Sequence, residues 1–258
     1  MRPTSTAPSS GLRRDPVRLV LSKAPWASAW YLFGYLFIGS GLFAIAVTAA
    51  TVGAAISFTL AGLPVLVAAA VTIRWCADAE RARLEVVDAA PVAGRYRPPG
   101  DGLLNGLRTR WGDPATWRDI AYLIGMYVPL FTLDAVVLAI WLTFLAGITI
   151  PVWYWAPWQT IHGVRYHGYQ LGYFPHGPHG PGGWGLYVDS LPRALLVAAI
   201  CLVAFLLFNY VLVATARAHA FVVRALLGEP IDPLKEAKEI LRSPGPLSAA
   251  EAASHPSP

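Results

Sequence analysis

Residues 24–73 contain no Asp, Glu, Lys or Arg. As one straight helix this stretch would be about 75 Å long at about 1.5 Å per residue, whereas the hydrocarbon core of a bilayer is about 30 Å thick. The stretch must therefore fold back on itself. Gly53 and Ser57-Phe58-Thr59 offer the turn, and Pro64 falls in the first turns of the second helix, where a missing N–H costs least. A helical hairpin in a membrane is the first expectation.

The rest of the chain repeats this pattern. Between 120 and 164 the only charge is Asp134, and 194–216 carries none. Only 14% of the 258 residues are charged, against about 25% in soluble domains. The expected fold is an all-α membrane protein with four transmembrane helices at about 29–52, 57–76, 118–145 and 193–216. Residues 1–23 read as a disordered cytoplasmic arm, 24–228 as the four-span domain, and 229–258 as a cytoplasmic tail, disordered at its Pro/Ser/Ala-rich end. Residues 152–191 form a long loop rich in Trp, Tyr, His, Gly and Pro.

Orientation follows from the basic residues. The segment 77–119 contains Arg81, Arg83, Arg95, Arg97, Arg108, Arg110 and Arg118, whereas the 152–191 loop contains Arg165 alone. The expected location is the plasma membrane, with both termini cytoplasmic and the aromatic loop outside. Arg13-Arg14 resembles a twin-arginine export signal, but Asp15-Pro16 follow the pair and no Ala-x-Ala cleavage site closes the apolar region. The net charge of +5 is spread as topology signals beside the spans. No basic stripe interleaved with aromatics points to nucleic acid, so the lipid bilayer is the expected non-protein partner. Cys76 and Cys201 cannot make a disulfide framework.

Two short amphipathic helices are expected on the cytoplasmic side. Arg74–Glu85 continues the second span as a stalk, with an Arg74/Asp78 pair at i,i+4. Leu103, Leu104, Leu107 and Trp111 share one helical face, suited to the membrane surface or to packing on other cytoplasmic segments. Asp113-Pro114 has the form of a helix start, an N-cap acceptor followed by Pro at the first position. An internal repeat also shows. Trp26-x4-Tyr31-Leu32-Phe33-Gly34 matches Trp117-x4-Tyr122-Leu123-Ile124-Gly125, and Leu60-Ala61-Gly62 matches Leu145-Ala146-Gly147. This reads as two repeated helical hairpins of the same orientation.

These motifs resemble the actinobacterial putative sensor domain, a membrane domain found on sensor histidine kinases and also alone. The matching residues are Tyr96-Arg97-Pro98-Pro99, the run Asp113-Pro114-Ala115-Thr116-Trp117-Arg118-Asp119-Ile120-Ala121-Tyr122-Leu123, Pro151-Val152-Trp153-Tyr154-Trp155, His219-Ala220 and Arg224-Ala225-Leu226-Leu227-Gly228. The resemblance implies reception of a signal in or outside the membrane and its transfer to cytoplasmic machinery. The segment after Gly228 is too short for a kinase core, and His219 lacks the acidic neighbour and downstream Pro of a phosphoacceptor. The expected function is therefore a stand-alone multi-pass sensor or signal relay without its own kinase domain. Its candidate protein partners are a histidine kinase, another cytoplasmic signalling protein and a second copy of the chain. A non-sensing membrane scaffold and a small transporter are the alternatives.

Candidate site residues follow from the same logic. Trp117, Arg118 and Asp119 at the start of span three are candidates for signal relay. Arg118 is placed to reach lipid phosphates and Asp119 the positive end of its own helix. Asp134 lies near the bilayer midplane, where a carboxylate costs about 2.5–3.5 kcal/mol, with no basic residue in the spans to pair with it. It is a candidate intramembrane polar site. His162, His167, Trp153 and Trp155 are candidate ligand contacts in the outer loop, beside the plainer reading of the tryptophans as an interfacial belt. His176-Gly177-Pro178-His179-Gly180 matches no metal-site spacing. No catalytic set and no phosphate-cradling loop is visible, so no enzyme activity, metal or cofactor is assigned.

Overall fold

The structure, a computed structural model, describes residues 15–59, 62–88, 92, 94, 96–98 and 102–228. The expected tail helix and most of the N-terminal arm lie outside the described residues. Residues 15–22 do not match the expected arm: α1 (Pro16–Val20) starts with Pro at its first turn and buries Leu19. It packs on α9, the last helix (Leu191–Leu227).

The first apolar stretch is one continuous helical rod. It comprises α2 (Lys23–Gly34), a π-turn over Tyr35–Gly39, and α3 (Ser40–Ile56). The chain then turns at 57–59 and returns as α4 (Gly62–Leu84), packed on α3. α5 (Leu103–Trp111) lies against α4, and its Trp111 indole donates to the Leu66 carbonyl, while Leu103 and Leu104 face outward. α6 (Pro114–Ile120) begins as expected, with Asp113 accepting from the Ala115 N–H and Pro at the first position. A second π-turn, Ala121–Gly125, leads into α7 (Tyr127–Ile148). α8 (Ile150–Trp153) follows, and α9 packs along α7. Among the described residues, four helices are long and apolar enough to cross a membrane: Lys23–Ile56, Gly62–Leu84, Tyr127–Ile148 and Leu191–Leu227.

The loop before α9 corrects the all-α expectation. It forms two antiparallel hairpins, β1 (Trp158–Ile161) with β2 (Val164–His167), and β3 (Tyr169–Tyr173) with β4 (Trp184–Val188). Gly172 and Gly185 face each other across the second hairpin at φ +136° and +143°, a backbone region that side chains avoid. The periodicity of aromatic and β-branched residues here was masked by the many glycines.

Side-chain contacts set the relative direction of the helices. Trp26 meets Trp141 edge-on, and further along Phe43 stacks on Tyr127 and the Ser40 and Tyr127 hydroxyls lie 2.8 Å apart. α2–α3 therefore runs antiparallel to α7. Trp141 also donates to Asn209, while Tyr31 and Tyr35 pack on His219, so α2–α3 runs in the same direction as α9. The turn at 57–59 and the β-hairpin loop therefore lie at opposite ends of the bundle, an arrangement that differs from two hairpins pointing the same way. The physical cause is the charged half of α4, which is held inside the bundle by partners on α2, α6 and α9.

The two π-turns end alike, in Ile38-Gly39 and Ile124-Gly125. The structural counterpart of Gly125 is therefore Gly39, where the sequence match had placed Gly34. Each π-turn contacts the opposite rod, the first on α7 and the second on α3.

Candidate functional site: a buried polar junction

The residues Arg74–Leu84 were expected to leave the membrane as a stalk. Instead Arg74, Glu80, Arg81 and Arg83 are drawn inward by groups on other elements, because a buried charge is stable only when paired and hydrogen-bonded; Asp78 stays exposed beside Arg81.

The junction has three tiers along α4. In the first, Arg74 does not pair with Asp78. Its Nη2 lies 3.1 Å from Asp113 Oδ2 and donates to Thr116 Oγ1 at 2.9 Å, tying α4 to the start of α6. In the second, Arg81 donates to Asp119 Oδ1 at 3.0 Å, to the Leu227 carbonyl at 2.9 Å, and to Asp78. Tyr96 donates to Asp119 Oδ2 at 2.8 Å, and burial pushes its phenol above the ordinary range. In the third tier Arg83 forks onto Glu80 at 2.8 Å and donates to the Tyr31 carbonyl at 2.8 Å. Tyr122 donates to Glu80 Oε2 at 3.1 Å, and its oxygen lies 3.3 Å from His219 Nε2. The other ring nitrogen, Nδ1, is 2.7 Å from Asp134 Oδ2.

This third tier joins α2, α4, the second π-turn, α7 and α9. Glu80, Asp134 and His219 are all at most 1% exposed. Asp134 thus has the partner that the sequence reading denied it: His219, which reaches it from α9. Asp134 Oδ1 and the Tyr31 hydroxyl are buried without a hydrogen-bond partner in the structure. A short polar chain, Arg83–Glu80–Tyr122–His219–Asp134, therefore runs through the bundle interior.

The relay candidates divide. Arg118 does not reach outward to lipid: its Nη2 donates to the Ala225 carbonyl at 2.7 Å and the Gly228 carbonyl at 3.1 Å. Asp119 is buried against Arg81 and Tyr96, away from its own helix N-terminus. Arg81 and Arg118 together cap the C-terminal carbonyls of α9, where cations are favoured. Trp117 is 56% exposed, and its indole donates to the Trp111 carbonyl, an anchoring contact rather than part of the junction.

The aromatic-loop candidates are spread along the chain. Trp153 stands edge-on to Tyr169, Trp155 is exposed, and His162 stacks on His176. His167 lies on β2, with its carbonyl accepting from the Tyr187 hydroxyl. Among the described residues no group of three or more His, Cys, Asp or Glu could hold a metal.

Glu80, Arg81, Arg83, Tyr122 and His219 were missed in the sequence. The available signal was Asp134 itself: a carboxylate in an apolar helix demands a partner, and His219 is the single histidine of α9.

A family model described as "Putative sensor" matches residues 31–227, a range that contains all three tiers. No curated protein and no solved structure matches the chain.

Proposed function

The chain belongs to the Putative sensor family, and on that premise we propose that this multi-pass membrane protein relays a signal through the polar junction to a cytoplasmic or membrane partner. A histidine kinase is the partner class the family resemblance suggests, and no kinase chemistry is assigned to the residues described here.

One observation supports this most. The C-terminal end of α9, from which the tail leaves, is held by Arg118 of α6 and Arg81 of α4, and Arg81 is held in turn by Asp119. Any tilt of α7 or α9 is carried to this point, because the second π-turn and His219 connect the same helices two turns earlier. π-turns recur at functional sites. Arg118 and Asp119 are the relay residues of this reading, Asp134 belongs to its core, and Trp117 is an anchor. Trp153, Trp155, His162 and His167 remain the proposed contacts for a ligand at the loop end.

The test is partner crosslinking in native membranes at matched protein levels. Arg118→Ala and Asp119→Asn reduce the yield severalfold, while Trp117→Ala leaves it near the starting value. Equal yields for all three variants and the parent chain remove the relay role.

One observation favours a second reading, a small transporter. Two antiparallel rods, each with a π-turn, enclose the polar cluster, as inverted halves do around a midplane site. Solute uptake in proteoliposomes, abolished by Asp134→Asn, would establish it.

A further inference from the structure

We propose that the cluster around His219 is a proton-binding site, in which one proton on the His219 ring decides whether the Tyr122 hydroxyl serves Glu80 or His219. The inference rests on the reading of this cluster as the core of the relay, and it names the input that core takes.

The argument is one of hydrogen-bond capacity. A phenol has one proton to donate. Two acceptors compete for it, Glu80 Oε2 at 3.1 Å and His219 Nε2 at 3.3 Å, and the Tyr35 hydroxyl also lies within hydrogen-bond reach of Tyr122. If the proton points to Glu80, the phenol oxygen can only accept from His219, so Nε2 carries hydrogen. With Asp134 ionised, Nδ1 carries hydrogen as well, facing the carboxylate at 2.7 Å. His219 is then an imidazolium held between Asp134 and Tyr122. In this state the buried charges cancel in pairs, Arg83 with Glu80 and His219 with Asp134. When Nε2 releases its proton to solvent, the bare nitrogen becomes an acceptor. The Tyr122 O–H turns to it, Glu80 loses that donor, and Asp134 loses its counter-charge.

The cost of that loss is concentrated because the cluster is buried. Among the described residues Asp134 Oδ1 has no hydrogen-bond partner, so the His219 bond is the one that satisfies this carboxylate. The groups facing His219 come from every packed element. They are Tyr31 on α2, Tyr35 in the first π-turn, Glu80 and Arg83 on α4, Tyr122 in the second π-turn and Asp134 on α7. On α9 itself Arg217 lies close in sequence and Arg224 pairs with Asp88. Arg118 and Asp119 of α6 are engaged at the end of α9, and Asp15 and Arg18 beside α1 pair with each other in solvent. Asp189 and Arg193 lie at the far end of α9 and pair together. Tyr122 and Asp134 are therefore the groups that hydrogen-bond to the ring.

The experiment is nitrogen NMR of the full chain in lipid nanodiscs with ¹⁵N-labelled histidine. His219→Gln identifies the signal by its disappearance. The expected result is a His219 ring with both nitrogens protonated at neutral pH, losing one proton in a single step as pH rises. Tyr122→Phe removes the hydroxyl that turns between Glu80 and His219, and the midpoint of that step moves by at least tenfold in proton affinity while the loop histidines do not change. Glu80→Gln moves the same midpoint and serves if the Tyr122 variant does not fold. A ring with one proton throughout, or a midpoint that neither variant moves, overturns the proposal. Partner crosslinking that is insensitive to Arg118→Ala, with the proton step intact, defeats the relay reading alone.

Discussion

The aromatic loop and the polar junction both collect titratable side chains, and they hold them in opposite ways. In the loop, His162, His167, His176 and His179 sit on glycine-rich hairpins, mostly at the surface, with ring stacking or a single backbone contact as support. In the junction, Glu80, Arg81, Arg83, Asp119, Asp134 and His219 are buried and bonded in pairs on four helices. Residue type alone made the loop the more attractive site. Burial decides otherwise: a charge out of water must be matched by specific partners, so removing one partner leaves a large penalty, whereas an exposed histidine loses little when changed.

The sharpest test of the arrangement concerns where the two hairpin ends lie. With Cys76 and Cys201 replaced by Ala, a cysteine is placed at Phe58, which is 94% exposed in the turn between α3 and α4, or at Gly182 in the loop. The antiparallel register of α2–α3 and α7 predicts labelling by an impermeant thiol reagent from opposite faces of the membrane. Labelling of both from the same face would show that the two hairpins point the same way, as the distribution of Arg suggests.

Next in size is the junction itself. Arg83→Met leaves Glu80 buried without its forked partner and costs about 3–5 kcal/mol, read as a loss of thermal stability in nanodiscs. Adding Glu80→Gln to that variant recovers most of the loss. If the double variant is as unstable as the sum of the two singles, the pair does not act as a unit.

The two π-turn glycines give a smaller, paired comparison. A Cβ at Gly39 would stand 2.5 Å from the Tyr35 ring, whereas one at Gly125 meets nothing within 4 Å. Gly39→Ala should cost about 1–3 kcal/mol through overpacking and push Tyr35 off His219. Gly125→Ala should be neutral or stabilising by up to about 1 kcal/mol. Equal effects would mean that the Tyr35 ring is not fixed over the turn. The smallest effect belongs to the loop: His162→Ala and His167→Ala should each change stability by no more than about 0.5 kcal/mol. A larger loss in the same thermal assay would reveal a partner for these rings.

Much of the helical framework was legible. The four apolar helices overlap the uncharged runs, and Asp113-Pro114 starts α6 with the cap its residues demand. Their ends were less legible, since α9 continues to Leu227 through Arg217 and Arg224. Hydropathy marks where a helix meets lipid, but not where its backbone hydrogen bonding stops. The β-hairpins were hidden because Gly172 and Gly185 interrupt the alternation that marks a strand. The junction was half legible. Asp134 signalled a buried partner, but Glu80 and Arg83 looked like ordinary surface charges on a good helix.

By itself, then, the sequence determined that this chain is a multi-pass membrane protein, because uncharged runs of such length have no other stable solvent. It also determined that Asp134 needs a partner, because an isolated carboxylate in an apolar helix is costly. Only the tertiary structure decided that the partner is His219, that the charged half of α4 turns inward, and that the two hairpin ends lie apart. Those outcomes depend on which helix faces meet and in which direction. A pattern of residue types along one chain does not encode that choice locally. It emerges from satisfying the buried charges of four helices at once.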